Sequence, residues 1–587
     1  MKPSVLARIA SRLSDTSAIV NAVESQQAPR TLVQREYVAP VGSVEEQIAA
    51  IWRRLLRVER VGRQDDFMLM SGDSLLATQM LARVSQLFGV QMPLTEIFTH
   101  TTLEAFAQAV ERAIAGGGGA GQPRLASVVR PERLPLSYAQ RRLWFLDQWE
   151  PGGHVYIVPM VFSVRGLLDM EALRQALNAV VARHEGLRTT FDLDAGEAVQ
   201  RIHEKVEVPL LFVDARRDEE LPPMMAMVTK EMRRPFDLSR DVLLRAVVVQ
   251  ASDDEFLLGI AVHHIVADGW SLDILVRELS AFYEATVGGR EAQMEALPIQ
   301  FADYAVWQRE YVDGVLDEQL AYWRRQLEGA PPQLKLPTDM PRPANQSFRG
   351  ALLPFKFPAE LAATVAEICK AEQVTPFIAL LTVLQVLLRQ YSGQNDISVG
   401  SPIANRTNIE TEGLIGFFAN TLVLRTVFPA DPTFREMLAR TRETAFGAYG
   451  HQYMPLEKLV EILKPPRASY NPLFQVNFRV ITTAPAMLRL GSCEAERVLF
   501  DPGIARFDLA LELLMAGDRF EGFFEYSTDL FSVETIRRMQ GEFEQALRTL
   551  AKSPDATLST LGLGPAVAER GTGIRKRAAR PAGAMPE

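Results

Sequence analysis

Three amphipathic stripes open the chain. Ile48, Ile51, Trp52, Leu55 and Leu56 recur at helical spacing behind Ser43 and Glu46, which are spaced as a capping box. Leu76, Met80, Leu81 and Val84 repeat the stripe in a segment that begins at "MSGDSLLATQ". Thr101 and Glu104 then precede Leu103, Phe106, Ala107 and Val110 in the same manner. The pattern predicts a small all-α bundle over residues 41–115, and each stripe is explained as core without a cofactor. It ends in "AIAGGGGAGQPRLASVVRPERLPLS", where glycines and prolines deny regular structure, so residues 116–131 read as a linker.

Beyond the linker the period changes. "LLGIAV", Leu257 to Val262, is nearly unbroken apolar, as in a strand covered on both faces, while "RELSAFYEA" and "TVAEICKAEQV" are amphipathic helices. A large mixed α/β unit follows, long enough for two lobes. The run Phe377 to Leu388 falls well short of the roughly 20 residues of a membrane span and reads as a buried helix. Residues 1–40, with Arg8 and Arg12, match an organellar transit pattern only weakly, and an extension or linker is the simpler reading. Residues 567–587, with Arg575, Lys576, Arg577 and Arg580 among Gly, Ala and Pro, read as a disordered basic tail.

At 587 residues the chain exceeds one ordinary core. A net charge of -9 argues against a nucleic-acid partner, which wants a basic face. Cys369 and Cys493 are the only cysteines, too few for a disulfide framework or a zinc site, and a reducing cytoplasm fits them.

Ser74 stands after Gly72 at a helix start, where serine is a preferred N-cap. The segment from "EYVAPVGSVEEQIAAIWRRLLRVERVGRQDDFMLMSGDSLLATQML", however, resembles the peptidyl carrier domains of nonribosomal peptide synthetases. The resemblance implies that Ser74 carries 4'-phosphopantetheine. A helix N-terminus favours a phosphodiester electrostatically. Ser71 stands where the family usually has glycine.

"LLGIAVHHIVADGWS" places His263 and His264 together at the end of the strand. Alternation sends adjacent side chains to opposite faces, so one histidine should buttress and the other should face a cleft. Period alone does not say which. The same geometry argues against both chelating one metal. Asp268 and Gly269 form a turn before a helical stripe, and a turn or helix-start role for Asp268 is the plain reading.

"HHIVADG" also matches the His-His-x-x-x-Asp-Gly motif of condensation domains of the same synthetases. "LSYAQRRLWFL", "RHEGLRTTF", "FADYAVWQR", "IGFFANTLVLR", "HQYMPLEKLV" and "NPLFQV" follow in that family's order, with Tyr453-Met454 a departure. The resemblance covers residues 132–566, and about nine-tenths of the chain with the carrier.

It implies two chloramphenicol-acetyltransferase-like lobes, about 132–305 and 306–566, around a tunnel entered from both sides. A nucleophile would attack a carrier-bound thioester there, giving an amide or ester. His264 would be the cleft-facing histidine, either as base or as orienting group, and His263 its neighbour within the motif. Asp268 would hold the loop through an arginine, with Arg188 and Arg406 as candidates. Gly269 would bring a backbone N–H near the carbonyl oxygen.

Other readings are an epimerisation domain, which shares the double histidine, and a non-catalytic recruitment platform. "RHEGLRTTF" and "NPLFQV" resemble L-donor condensation blocks, and platforms lose the histidine motif, which is complete here. The implied partners are a phosphopantetheinyl transferase, separate adenylation or polyketide/peptide synthetase modules, and a trans carrier protein or small-molecule nucleophile. With no room for an adenylation domain or thioesterase, loading and the nucleophile are expected to come from outside. No nucleic acid and no membrane are expected.

Overall fold

The computed structural model describes residues 37–56, 58–70, 74–90, 92–116, 125–149, 151–216, 223–466, 468–516 and 519–564. Most of the N-terminal extension, the glycine run of the linker and the basic tail lie outside the described residues.

The first unit is the expected helical bundle, with helices Gly42–Leu56, Ser74–Phe88 and Leu103–Ala115 and a short helix, Thr95–Thr99. Ile48, Trp52, Met80, Val84, Phe106 and Val110 are buried at its centre. Two caps differ from the sequence expectation. Glu45, not Glu46, reaches back to accept the Val41 N–H at 2.8 Å, because the helix already includes Gly42 and Ser43. Thr102, not Thr101, caps the last long helix by accepting the Ala105 N–H. Thr101 instead donates to Asp66 Oδ2 at 2.5 Å, tying helix to loop.

Among the described residues the large unit has three sheets: a small one of Leu134–Pro135, Glu197–Ile202 and Thr189–Asp194, and two larger ones, each packed on its own apolar core. The N-terminal lobe holds five strands in the spatial order Glu494–Val498, Ile157–Arg165, Glu255–His263, Leu244–Gln250, Leu210–Asp214. Glu255–His263 is buried from Phe256 onward, which explains its unbroken apolar text. The edge strand Glu494–Val498 comes from the C-terminal half and pairs antiparallel with Ile157–Arg165, so the lobes exchange chain rather than dividing cleanly at 305. The C-terminal lobe has six strands in the order Asn420–Val427, Asp396–Ile403, Val476–Ile481, Leu509–Ala516, Arg519–Ser527, Gly350–Lys356.

The apolar run at 377–388 lies in the buried helix Pro376–Ser392. Among the described residues no single helix is long and apolar enough to cross a membrane. The lobes also meet through Leu414 to Ala419, which returns to touch the N-terminal lobe. Gly416 is required there, because a Cβ would come within 1.9 Å of the Phe301 ring.

Candidate active site

The strand Glu255–His263 ends at the first histidine, and His264 opens a single turn of 3-10 helix, His264–Val266. That change of backbone separates the two rings. His263 turns inward, accepts the Ile265 N–H on Nδ1 at 3.2 Å and meets the Phe236 ring edge-on at 6.2 Å. His264 lines a cavity of about 2680 Å³ between the lobes. Its ring lies 4.6 Å from that of Phe417, its backbone N–H is held by the Tyr156 carbonyl at 2.8 Å, and its Nδ1 is buried without a hydrogen-bond partner.

Burial dominates the electrostatics of both rings. Burial, followed by the nearby Arg506 guanidinium, pushes His264 down to about 4, with Asp268 opposing. Burial and the neighbouring His264 push His263 to about 3. Both imidazoles are therefore neutral near pH 7, and His264 presents a hydrogen-bonding ring rather than a cation.

Asp268 is fully committed to structure. It caps the helix Gly269–Val287 by accepting the Ser271 N–H on Oδ1 at 2.9 Å, the local role its position in the turn suggested. Its Oδ2 accepts the N–H groups of Phe418 and Ala419 at 3.0 and 3.2 Å. Arg406 supplies the charge partner, with Nη2 3.2 Å from Oδ1 and the two side chains only 1% and 3% exposed. Burial alone would raise the Asp268 carboxyl. Arg406 and the donors from Ser271 and Phe418 outweigh it and hold the group below its ordinary value.

Arg188, the other candidate, is occupied elsewhere. It donates to the His203 carbonyl and lies 3.7 Å from Glu185. Gly269 is the first residue of its helix and lines the same cavity as His264, so its N–H belongs to the turn that has no intrahelical acceptor. A Cβ there would press on Arg479 Nη2 at 3.1 Å.

Ser74 is the first residue of the helix Ser74–Phe88. Leu76, Gln79 and Arg83 on that helix line the same open cavity as His264.

Several residues that shape the site carried no signal in the sequence. Arg506, which depresses His264, is 242 positions away from it; its Nε bonds the Val155 carbonyl at 3.1 Å. Phe417 and Trp270 lie inside motif text, but nothing in their spacing marks them as cavity walls.

The described geometry defines a two-lobed acyltransferase-like fold with a histidine in the cavity between its lobes, preceded by a carrier bundle. Residues 131–570 match the condensation domain family, and residues 46–110 match the phosphopantetheine attachment site family. The chain belongs to the condensation domain family of nonribosomal peptide synthetases, with a carrier domain in front.

It is 44% identical over 92% of its length to one polypeptide of the linear gramicidin synthase of Brevibacillus parabrevis, and 39% identical over 90% to malpibaldin synthetase of Mortierella alpina. It spans only about a tenth of either relative, 11% and 10%. Among solved structures, the X-domain complexed with OxyB from teicoplanin biosynthesis matches with a TM-score of 0.69 at 32% identity, covering 76% of this chain and 99% of that one. The four-domain synthetase AB3403 matches at 0.68 and 25% identity, covering 76% of this chain and 35% of that one.

The carrier domain is of the kind that bears covalent 4'-phosphopantetheine. The residues fit such a group, since the helix that Ser74 opens lines the cavity that reaches His264.

Proposed function

We propose that this chain passes an acyl or peptidyl group from a thioester on Ser74 to an amine or alcohol nucleophile, forming an amide or ester. The observation that carries this reading is the single cavity shared by the Ser74 helix and His264. The attached group, when bound, supplies the thiol that holds the acyl chain as an activated thioester.

The protein's own residues do the rest. The cavity walls hold the reactants together beside His264, and such positioning can supply much of the acceleration for an activated ester. His264, neutral and facing the cavity, accepts a hydrogen bond from the attacking N–H or O–H and aims the nucleophile's lone pair at the carbonyl. With a ring pushed to about 4 it is a weak base, so orientation is its larger contribution. The Gly269 N–H, at a helix start on the cavity wall, is assigned to the charge that develops on the carbonyl oxygen. Asp268 and Arg406 act on neither reactant; they hold the turn that carries both groups.

Partners follow from the same chemistry: a phosphopantetheinyl transferase, neighbouring synthetase modules and a source of nucleophile, in a cytoplasmic setting. A platform role has one observation behind it, the likeness to the X-domain solved with OxyB. The open cavity with His264, Asp268 and Gly269 all in place weighs against it.

Ser74→Ala is expected to abolish the mass gain seen when the protein is incubated with coenzyme A and a phosphopantetheinyl transferase, and to leave the bundle folded. Intact-protein mass spectrometry checks this. A full mass gain in the Ala variant would move the attachment site elsewhere.

A further inference from the structure

Two unlike contacts are among those that seat the carrier on the condensation domain. Phe98, on the short helix Thr95–Thr99, stacks on Phe446 of the helix Phe434–Gly450 with ring centroids 4.5 Å apart and planes 18° from parallel. Arg83 makes the second contact. Its Nη1 and Nη2 each lie 2.8 Å from one oxygen of Glu412, the fork-on-fork geometry that makes arginine–carboxylate pairs strong and directional.

Isolated surface ion pairs contribute little, but this one has three features they lack. Both side chains are only 18% exposed. The guanidinium is already fixed by donating to the Gln79 carbonyl at 2.9 Å, so less freedom is lost when it pairs. The carboxylate also stands on backbone that is itself held.

That backbone links docking to chemistry. The Glu412 carbonyl accepts the Trp270 indole N–H at 2.9 Å, and Trp270 is the second residue of the helix that Asp268 caps. The carbonyls of Thr411 and Leu414, on either side, are held by Arg406, the partner of Asp268. Phe418 and Ala419, a few residues on, donate to Asp268 itself. Residues 411–419 thus receive the carrier at one end and close the catalytic turn at the other.

We propose that Arg83 and Glu412 are a charge-matched docking pair that registers the carrier helix on this segment, so that seating the carrier and ordering the turn that holds His264 are one event. The proposal deepens the transfer reading above and rests on it for its consequence in rate. Arg83 and Glu412 are positioning residues, since neither belongs to the reacting set. The arrangement selects for a carrier with a cation at this place on its second long helix, and it disfavours one with an acid there.

The test uses the full chain in four forms: parent, Arg83→Glu, Glu412→Arg and the double reversal. Hydrogen exchange of the amides in 409–419 reports seating without any turnover. Single-turnover transfer from loaded Ser74 to saturating soluble amine reports the consequence. Each single reversal is expected to speed exchange and slow transfer by about tenfold or more, as losing a charged hydrogen-bonded pair should. The half-saturating acceptor concentration should stay where it is, because the acceptor does not touch the pair. The double reversal should recover most of both losses, which mere loss of fold would not do.

Single reversals that change neither exchange nor rate would overturn the proposal, as would a double variant no better than the singles. If the parent transfers to no acceptor while exchange follows the expected pattern, the transfer reading falls and the docking pair stands.

Discussion

His264→Ala is expected to slow transfer from loaded Ser74 by about 10²-fold or more, the loss expected when the group that orients the nucleophile is removed, while loading and thermal stability stay at the parent level. Stability should hold near pH 7, where the ring is neutral in the folded and the unfolded chain alike, so its lowered pKa costs almost nothing, and its buried Nδ1 makes no hydrogen bond for the substitution to break. The pH dependence follows from the same shift. Protonation removes the lone pair that the nucleophile needs, and it occurs as pH falls through about 4, not 6.5. The rate, corrected for the unprotonated fraction of the acceptor amine, should be flat from about pH 8 to about pH 5. A half-maximal rate near the ordinary histidine value of about 6.5 would show that His264 titrates freely, and a fully active Ala variant would remove it from the chemistry.

Asp268→Ala is expected to cost about 3–5 kcal/mol of the condensation domain's stability, the cost of stranding a buried charge, and to lose transfer with it. Removing the carboxylate orphans Arg406 and leaves the Ser271, Phe418 and Ala419 N–H groups without their acceptor. Arg406→Met in the same background should give back part of that loss, because it removes the stranded charge. Urea unfolding of the four-member cycle measures this. An Asp268→Ala domain that unfolds at the parent midpoint would contradict the buried pair.

The legible and illegible parts of the site differ in kind. The unbroken apolar run Leu257–Val262 implied a strand buried on both faces, and strand alternation beyond it implied two histidines with different surroundings. Which one faced the cavity depended on where the strand stopped, and the switch to a 3-10 turn at His264 has no periodic mark. The arginine partner of Asp268 was beyond reach for another reason. Arg188 and Arg406 are both in plausible motif text, and only the return of residues 411–419 to the N-terminal lobe puts one of them 3.2 Å away.

The carrier stripes marked three helices, while Thr95–Thr99, five residues long, was too short to show a period. The crossing strand Glu494–Val498 is half-exposed and polar, so no alternation marks it. Its placement is decided by its partner strand, not by its own residues.

The central claim, that Ser74 cargo is joined to a nucleophile at His264, is tested most directly by product mass. Protein loaded at Ser74 with an amino-acyl or peptidyl group is presented in parallel with a soluble amine, a soluble alcohol and a separately loaded carrier, in heavy water, and the small products are weighed. The account predicts a product whose mass joins cargo and nucleophile, a free thiol left on the Ser74 arm, and loss of that product in the His264→Ala protein. No joined product from any nucleophile, with the cargo instead gaining one deuterium at its α-carbon, would contradict it.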